Sequence, residues 1–159
     1  MIVKPIPDKP IPDGYHSITP YLIIDGAAEA IAFYKRAFSA MELFRMDTRD
    51  GKVGHAEIQI GDSRIMMADD CGEEKPFRNP QSSGSSSVGL HLYVNDVDAV
   101  FDQAVGEGAK IIKPLEDQFY GDRSGALQDP FGHIWFIATR KEDVSLEQIR
   151  QRAEVKFKQ

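Results

Sequence analysis

Three polar side chains alternate in the run "HAEIQIGDSRIMMAD": His55, Glu57 and Gln59. Alternate residues of a strand share one face, so an imidazole, a carboxylate and an amide stand in a row. Gly61-Asp62 has the composition of a two-residue hairpin turn. It pairs Ile60 with Ser63, Ile58 with Ile65 and Glu57 with Met66, and brings Arg64 and Met66 onto the same face. Glu57 is the candidate catalytic base, because a carboxylate beside Met66 is expected to lose water and gain a higher pKa. Its plainer role is as partner to Arg64 or His55. His91, in "VGLHLYVND", adds a second imidazole. His55, Glu57 and His91 could together hold a divalent ion if they converge, or simply line a ligand pocket. In "FYGDRSG", Arg123 could clamp a carboxylate or phosphonate while Tyr120 closes over a ring; the plainer reading is that Asp122 and Arg123 order the loop. His16 reads as a surface histidine and Cys71, in a polar loop, as an incidental thiol. His133, in "DPFGHIWFIAT", shares its parity with Trp135 and is expected at the turn or on the helix side.

These residues need elements to hold them. From Ser17 the pattern reads strand (Ser17 to Ile24), helix (Gly26 to Phe38), a less regular strand (about Met41 to Thr48) and the hairpin. Asp25 is the expected N-cap, and Ala27, Ala30, Ile31, Tyr34 and Phe38 form an apolar face at helical spacing. "DDCGEEKPFRNPQSSGSSS" is rich in Gly, Pro and Ser and is expected as a linker or mobile loop. The order then repeats. Sliding the chain by 70 residues sets Leu22 on Leu92, Asp25 on Asn95, Ile31 on Phe101, Ala56 on Ala126 and Ala68 on Ala138 without gaps, which predicts two βαβββ copies. A last helix is expected from about Ser145, where Ser145 and Gln148 make a capping-box pattern. "KPIPDKPIPDGY" holds four prolines and is expected as an extended arm on the surface or on a neighbour, a poor place for chemistry.

Alternation divides the strands between two faces. Ala56, Ile58, Ile65 and Met67 are wholly apolar and turn toward a helix, as do Leu90, Leu92, Trp135 and Ile137 in the second copy. Tyr21, His55, Glu57, Gln59, Arg64 and Met66 are left on the other side of the first copy. Gly89, His91, Tyr93, Ile134, Phe136 and Ala138 are their counterparts in the second.

The bulk properties exclude several classes. A chain of 159 residues is a one-domain length, and 42% hydrophobic with 28% charged residues is ordinary for a soluble protein. No apolar run approaches the roughly 18 residues of a membrane span. The net charge of -6, without a basic cluster, leaves no footprint for nucleic acid, and an acidic ligand would need a local basic pocket. One cysteine and the lack of a basic-plus-apolar leader pattern fit a cytoplasmic setting. The sequence contains no Walker loop, dinucleotide fingerprint, Gly-x-Ser-x-Gly elbow or CxxC pair.

A duplicated βαβββ unit with "DPFG" in its second hairpin resembles the vicinal oxygen chelate (VOC) superfamily of glyoxalase I, bleomycin-resistance proteins and extradiol dioxygenases. "TPYLIIDGAAEAIAFY", "HAEIQIGDSRIMMADD" and "YGDRSGALQDPFGHIWFIAT" are similar to its PhnB-like, glyoxalase-related subgroup. The resemblance implies an α+β fold in which two tandem modules form an open cup, and homodimers that pair or swap modules. It also implies that metal-dependent members carry ligands at the positions of Thr19, Met66, Gly89 and Phe136. None of those four is a normal ligand for Zn, Ni, Mn or Fe.

The expected layout is an arm over residues 1–16, a VOC domain over 17–140 (module one 17–69, linker 70–87, module two 88–140) and a C-terminal helix over 141–159. The expected function is binding of a small amphipathic molecule with neither metal nor cofactor. Its lining would be Tyr21, His55, Gln59, Arg64, Met66, His91, Tyr93, Tyr120, Arg123 and Phe136. The alternative is a glyoxalase-type lyase or isomerase using Glu57 or a displaced His55/Glu57/His91 metal site. A homodimer is the expected assembly, with neither nucleic acid nor membrane as partner.

Overall fold

The structure is a computed structural model and describes residues 8–73 and 76–158; the first residues of the proline-rich arm lie outside it. Module one runs β1 (Tyr21–Ile24), α1 (Ala27–Phe38), β2 (Met41–Asp47), β3 (Val53–Ile60) and β4 (Ser63–Asp69). A short α2 (Pro80–Ser83) follows. Module two repeats the order as β5 (Gly89–Tyr93), α3 (Val97–Gly106), β6 (Lys110–Asp117), β7 (Asp122–Gln128) and β8 (Ile134–Arg140), and α4 (Leu146–Phe157) closes the chain. Two four-stranded mixed sheets result, ordered β1-β4-β3-β2 and β5-β8-β7-β6, with β1 parallel to β4 and β5 parallel to β8. The fold is α+β and matches the expected pair of modules. No helix among the described residues is long and apolar enough to cross a membrane.

The register follows the alternation. Ile58 faces Ile65 and Glu57 faces Met66 across the Gly61-Asp62 turn. Leu22, Ile24, Ala56, Ile58, Ile65 and Met67 are buried against α1, whose own buried face is Ala27, Ala30, Ile31, Phe33, Tyr34, Ala37 and Phe38. One core then joins the modules. Trp135 of β8 packs against Phe38 (centroids 4.6 Å apart) and Tyr34 (5.3 Å), so the helix of module one also covers the sheet of module two.

The joint is fastened by Asp129. Its carboxylate accepts from the Tyr34 hydroxyl at 2.6 Å, the Trp135 indole at 2.9 Å and the backbone N–H groups of Phe131 and His133. Burial first, and then the Asp129 carboxylate, push the Tyr34 phenol well above its usual range, so it remains a donor. His133 is buried outside the open faces, where its Nε2 lies 3.0 Å from the Ile23 carbonyl of β1.

Four expectations are corrected. Asp25 does not cap α1: the N-cap is Gly26, and the cap is long-range, because Asp69 Oδ1 accepts from the N–H groups of Gly26 (3.0 Å) and Ala27 (2.8 Å). The gapless offset of 70 holds where Tyr21 pairs Met66 and His91 pairs Phe136, but slips to 69 in β7. There Ala126 faces Phe136 as Glu57 faces Met66, because the Asp129–His133 loop replaces a two-residue turn. The first strand is shorter than expected, since Ser17 to Pro20 stays outside the ladder; Pro20 has no N–H to donate and only its carbonyl reaches Met66. The linker is anchored at its described ends. Asp70 accepts from Gly72 N (2.9 Å), Asn79 N (2.9 Å) and Arg78 Nε (3.1 Å), and Asn79 caps α2.

Those bonds, led by the Asn79 and Gly72 backbone N–H groups, hold the Asp70 carboxyl far below the usual carboxylate range. A group depressed in the folded state contributes stability above its unfolded pKa, about 4 for Asp. That contribution is lost as the pH falls through the folded value. Asp70→Asn is therefore expected to be less stable at pH 7 and to lose less stability on acidification below about pH 4 than the parent. Urea midpoints measured across that range check it, and parallel acid limbs would contradict it.

Candidate functional site

Each sheet turns one face to its helix and leaves the other open. On the open face of module one, Tyr21, His55, Glu57, Gln59, Arg64 and Met66 come together as alternation requires. Their polar groups form a chain: the Tyr21 hydroxyl lies 2.8 Å from His55 Nδ1, and His55 Nε2 lies 3.2 Å from Glu57 Oε1. One neutral tautomer satisfies both contacts, with Nε2–H donating to the carboxylate and Nδ1 accepting from the phenol.

Glu57 differs from expectation in its electrostatics. Its carboxyl is held below the usual range, not raised. The cause is first the Tyr15 hydroxyl facing it, then His55 and Arg64, against the opposing effect of burial. Glu57 therefore stays ionised and is a weaker base than a carboxylate isolated beside Met66 would be. Tyr15 comes from the arm that the sequence marked as a poor place for chemistry. Its ring lies 4.8 Å from the Arg64 guanidinium, and its hydroxyl is buried without closing a hydrogen bond.

Beyond Tyr21 the open face deepens into an apolar cavity of about 500 Å³, walled by Ile23, Gly54, Ala68, Cys71 and the exposed Phe77. Asp69 also borders it, but that carboxylate is occupied by the N–H groups of Gly26, Ala27 and Val53. Cys71 and Phe77 belong to the linker, and no signal in the sequence placed either beside Tyr21.

Module two carries the other residues. His91 stands beside Tyr93 (centroids 4.8 Å apart) and is stacked on Phe136 at 6.3 Å. The Tyr93 hydroxyl donates to Asp122 at 2.7 Å, and this bond is the first cause of its raised pKa. Tyr120 and α4 border the same face: Ile149 shares a cavity with His91 and Tyr93, and Lys156 one with Tyr120 and Phe136. Arg123 is not there. It sits on the helix side, where Nη2 and Nε reach Asp98 of α3 at 2.9 and 3.0 Å and Nη1 reaches Asp117. Successive β7 residues point to opposite faces, so Asp122 joins Tyr93 while its neighbour cannot.

The displaced metal site does not form within one chain. His55 and Glu57 stand on β3 and His91 on β5 of the other sheet. Among the described residues no group of three His, Cys, Asp or Glu side chains could hold an ion. The four positions suggested by the resemblance do not fit a metal either. Thr19 and Met66 offer a hydroxyl and a thioether, and the Phe136 ring lies so close over Gly89 that a Cβ added there would run into it.

This arrangement places the chain in a family. The sequence model of the Glyoxalase/Bleomycin resistance protein/Dioxygenase superfamily matches residues 15–137, and the chain belongs to it. An uncharacterized protein from Mycobacterium bovis is 41% identical over 138 residues, covering 84% of this chain and 90% of its own. TioX from Micromonospora sp. ML1 is similar in structure at a TM-score of 0.61 and 25% identity, over 82% of this chain and all of TioX. The PhnB protein from Bacillus cereus shares the fold at a TM-score of 0.62 and 21% identity, over 78% of this chain and 99% of its own.

Proposed function

We propose that this protein binds a small amphipathic molecule on the open faces of its sheets and needs no metal to do so. The observation that carries the proposal is the Phe136 ring closed over Gly89. Two positions where metal-dependent relatives carry donors hold an aromatic ring and no side chain, a surface suited to an apolar group. Tyr21, His55 and Glu57 on one face, and His91, Tyr93 and Tyr120 on the other, supply the polar contacts. A homodimer belongs to this reading, supported by the exposed Met41, Phe44 and Met46 on the edge strand β2. Sedimentation equilibrium reads it directly.

A thermal-shift screen of aromatic and glycopeptide-like compounds, run before and after chelator treatment, tests the binding. Stabilisation by a bound compound should be the same in both series. A stabilisation that chelator abolishes would overturn the metal-free reading.

The Tyr21–His55–Glu57 chain supports a second reading, a glyoxalase-type lyase or isomerase in which this relay moves a proton next to a carbonyl. Turnover of a hemithioacetal, lost in Glu57→Gln, would establish it. Absence of turnover with every added divalent ion leaves the binder.

A further inference from the structure

We propose that a pocket at the seam between the modules takes a small amphipathic carboxylate, with Arg64 as its receptor. The inference rests on the binding reading above and adds the class of ligand and where its charge goes. The pocket, of about 440 Å³, is walled by the arm, the β3–β4 turn and β5. It thus touches the arm and both modules at once.

Arg64 is set apart by what it lacks. Arg36, Arg45, Arg78, Arg123, Arg140 and Arg152 each hold a carboxylate at 3.1 Å or closer. Of the arginines without an ion pair among the described residues, Arg49 and Arg150 are exposed and Arg64 is part-buried. Its contacts are neutral: the Asp13 carbonyl at 3.2 Å, the Gln59 amide oxygen at 3.4 Å and the face of Tyr15. Glu57 feels its charge without forming an ion pair. A part-buried guanidinium with neutral neighbours retains donors for a planar, two-oxygen anion. The one acid on the pocket wall, Asp62, already accepts from the Ser63 hydroxyl. His16 and His91 add imidazoles to a lining whose one guanidinium is Arg64. Ile18, Ile65 and Leu90 supply the apolar wall for the remainder of the ligand.

The Tyr15 ring lies 4.8 Å from the Arg64 guanidinium and its hydroxyl is turned to Glu57, so the arm covers one side of Arg64 without offering it a charge.

Calorimetric titration with 4-phenylbutyrate and its neutral amide tests the inference, with the sole tryptophan, Trp135 on the pocket wall, as optical check. The acid should bind saturably and the amide at least about tenfold more weakly. Arg64→Gln should weaken the acid by a similar factor and leave the amide unchanged, while Arg64→Lys, which keeps the charge without the fork, should fall between. Thermal melts establish that both variants are folded. Equal binding of acid and amide, or an unchanged affinity in folded Arg64→Gln, overturns the inference. So does the absence of saturable binding of the acid. In each of these outcomes, hits with neutral compounds in the thermal-shift screen leave the binding reading standing.

Discussion

Asp129→Ala should lower stability by about 3–5 kcal/mol, the largest effect expected of any single polar substitution in this chain. Asp129 is 4% exposed and its carboxylate accepts from Tyr34, Trp135 and two backbone N–H groups. Alanine leaves a phenol and an indole N–H buried without acceptors, each costing about 1–3 kcal/mol. The loss falls on the joint, because Tyr34 belongs to module one and Trp135 to module two. The melting temperature should drop by on the order of 10 °C. Asp129→Asn, which retains one acceptor oxygen, should lose less. Urea unfolding followed by Trp135 fluorescence and circular dichroism measures both; a loss below about 1 kcal/mol for the alanine variant would contradict the hub.

The second large effect separates two aspartates. Asp69→Ala should cost about 2–4 kcal/mol, since it removes a charged acceptor from two N–H groups at the start of α1 and from Val53 N of β3 at 2.7 Å. Asp25→Ala should cost less than about 0.5 kcal/mol, as an exposed residue outside the cap. A cap formed by Asp25 predicts the reverse order. The same unfolding experiment on the two variants decides between them.

That pair also marks where the sequence stopped being readable. Local alternation is a property of each strand, so the face carrying Tyr21, His55, Glu57, Arg64 and Met66 followed from the spacing alone. The 70-residue repeat carried the module order and paired Met66 with Phe136. Contacts made across long separations left no local pattern. Asp69 reaches back 43 residues to Gly26, Asp129 reaches 95 residues to Tyr34, and Tyr15 lies over a strand 49 residues away at Arg64. Arg123 was misplaced because a loop was expected where β7 begins, and one residue of register decides the face. Glu57 was expected to be desolvated by Met66; the arm residue that instead depresses its pKa lay in a segment read as inert.

Function follows from the same distinction. The ring of Phe136 over Gly89 could be suspected from residue types, but its closure over the glycine required coordinates. The linker residues Cys71 and Phe77 extend the open face of module one into an apolar cavity, and α4 borders that of module two. Terminal and linker segments therefore border both open faces, while the sheets supply the polar row between them.

The central claim is that this chain uses a VOC fold without the fold's metal. Metal content of protein purified without a histidine tag tests it most directly. The account predicts Zn, Ni, Mn and Fe each far below one equivalent per chain, with ligand-induced stabilisation intact. A stoichiometric divalent ion that survives dialysis and is lost in His91→Ala would contradict it.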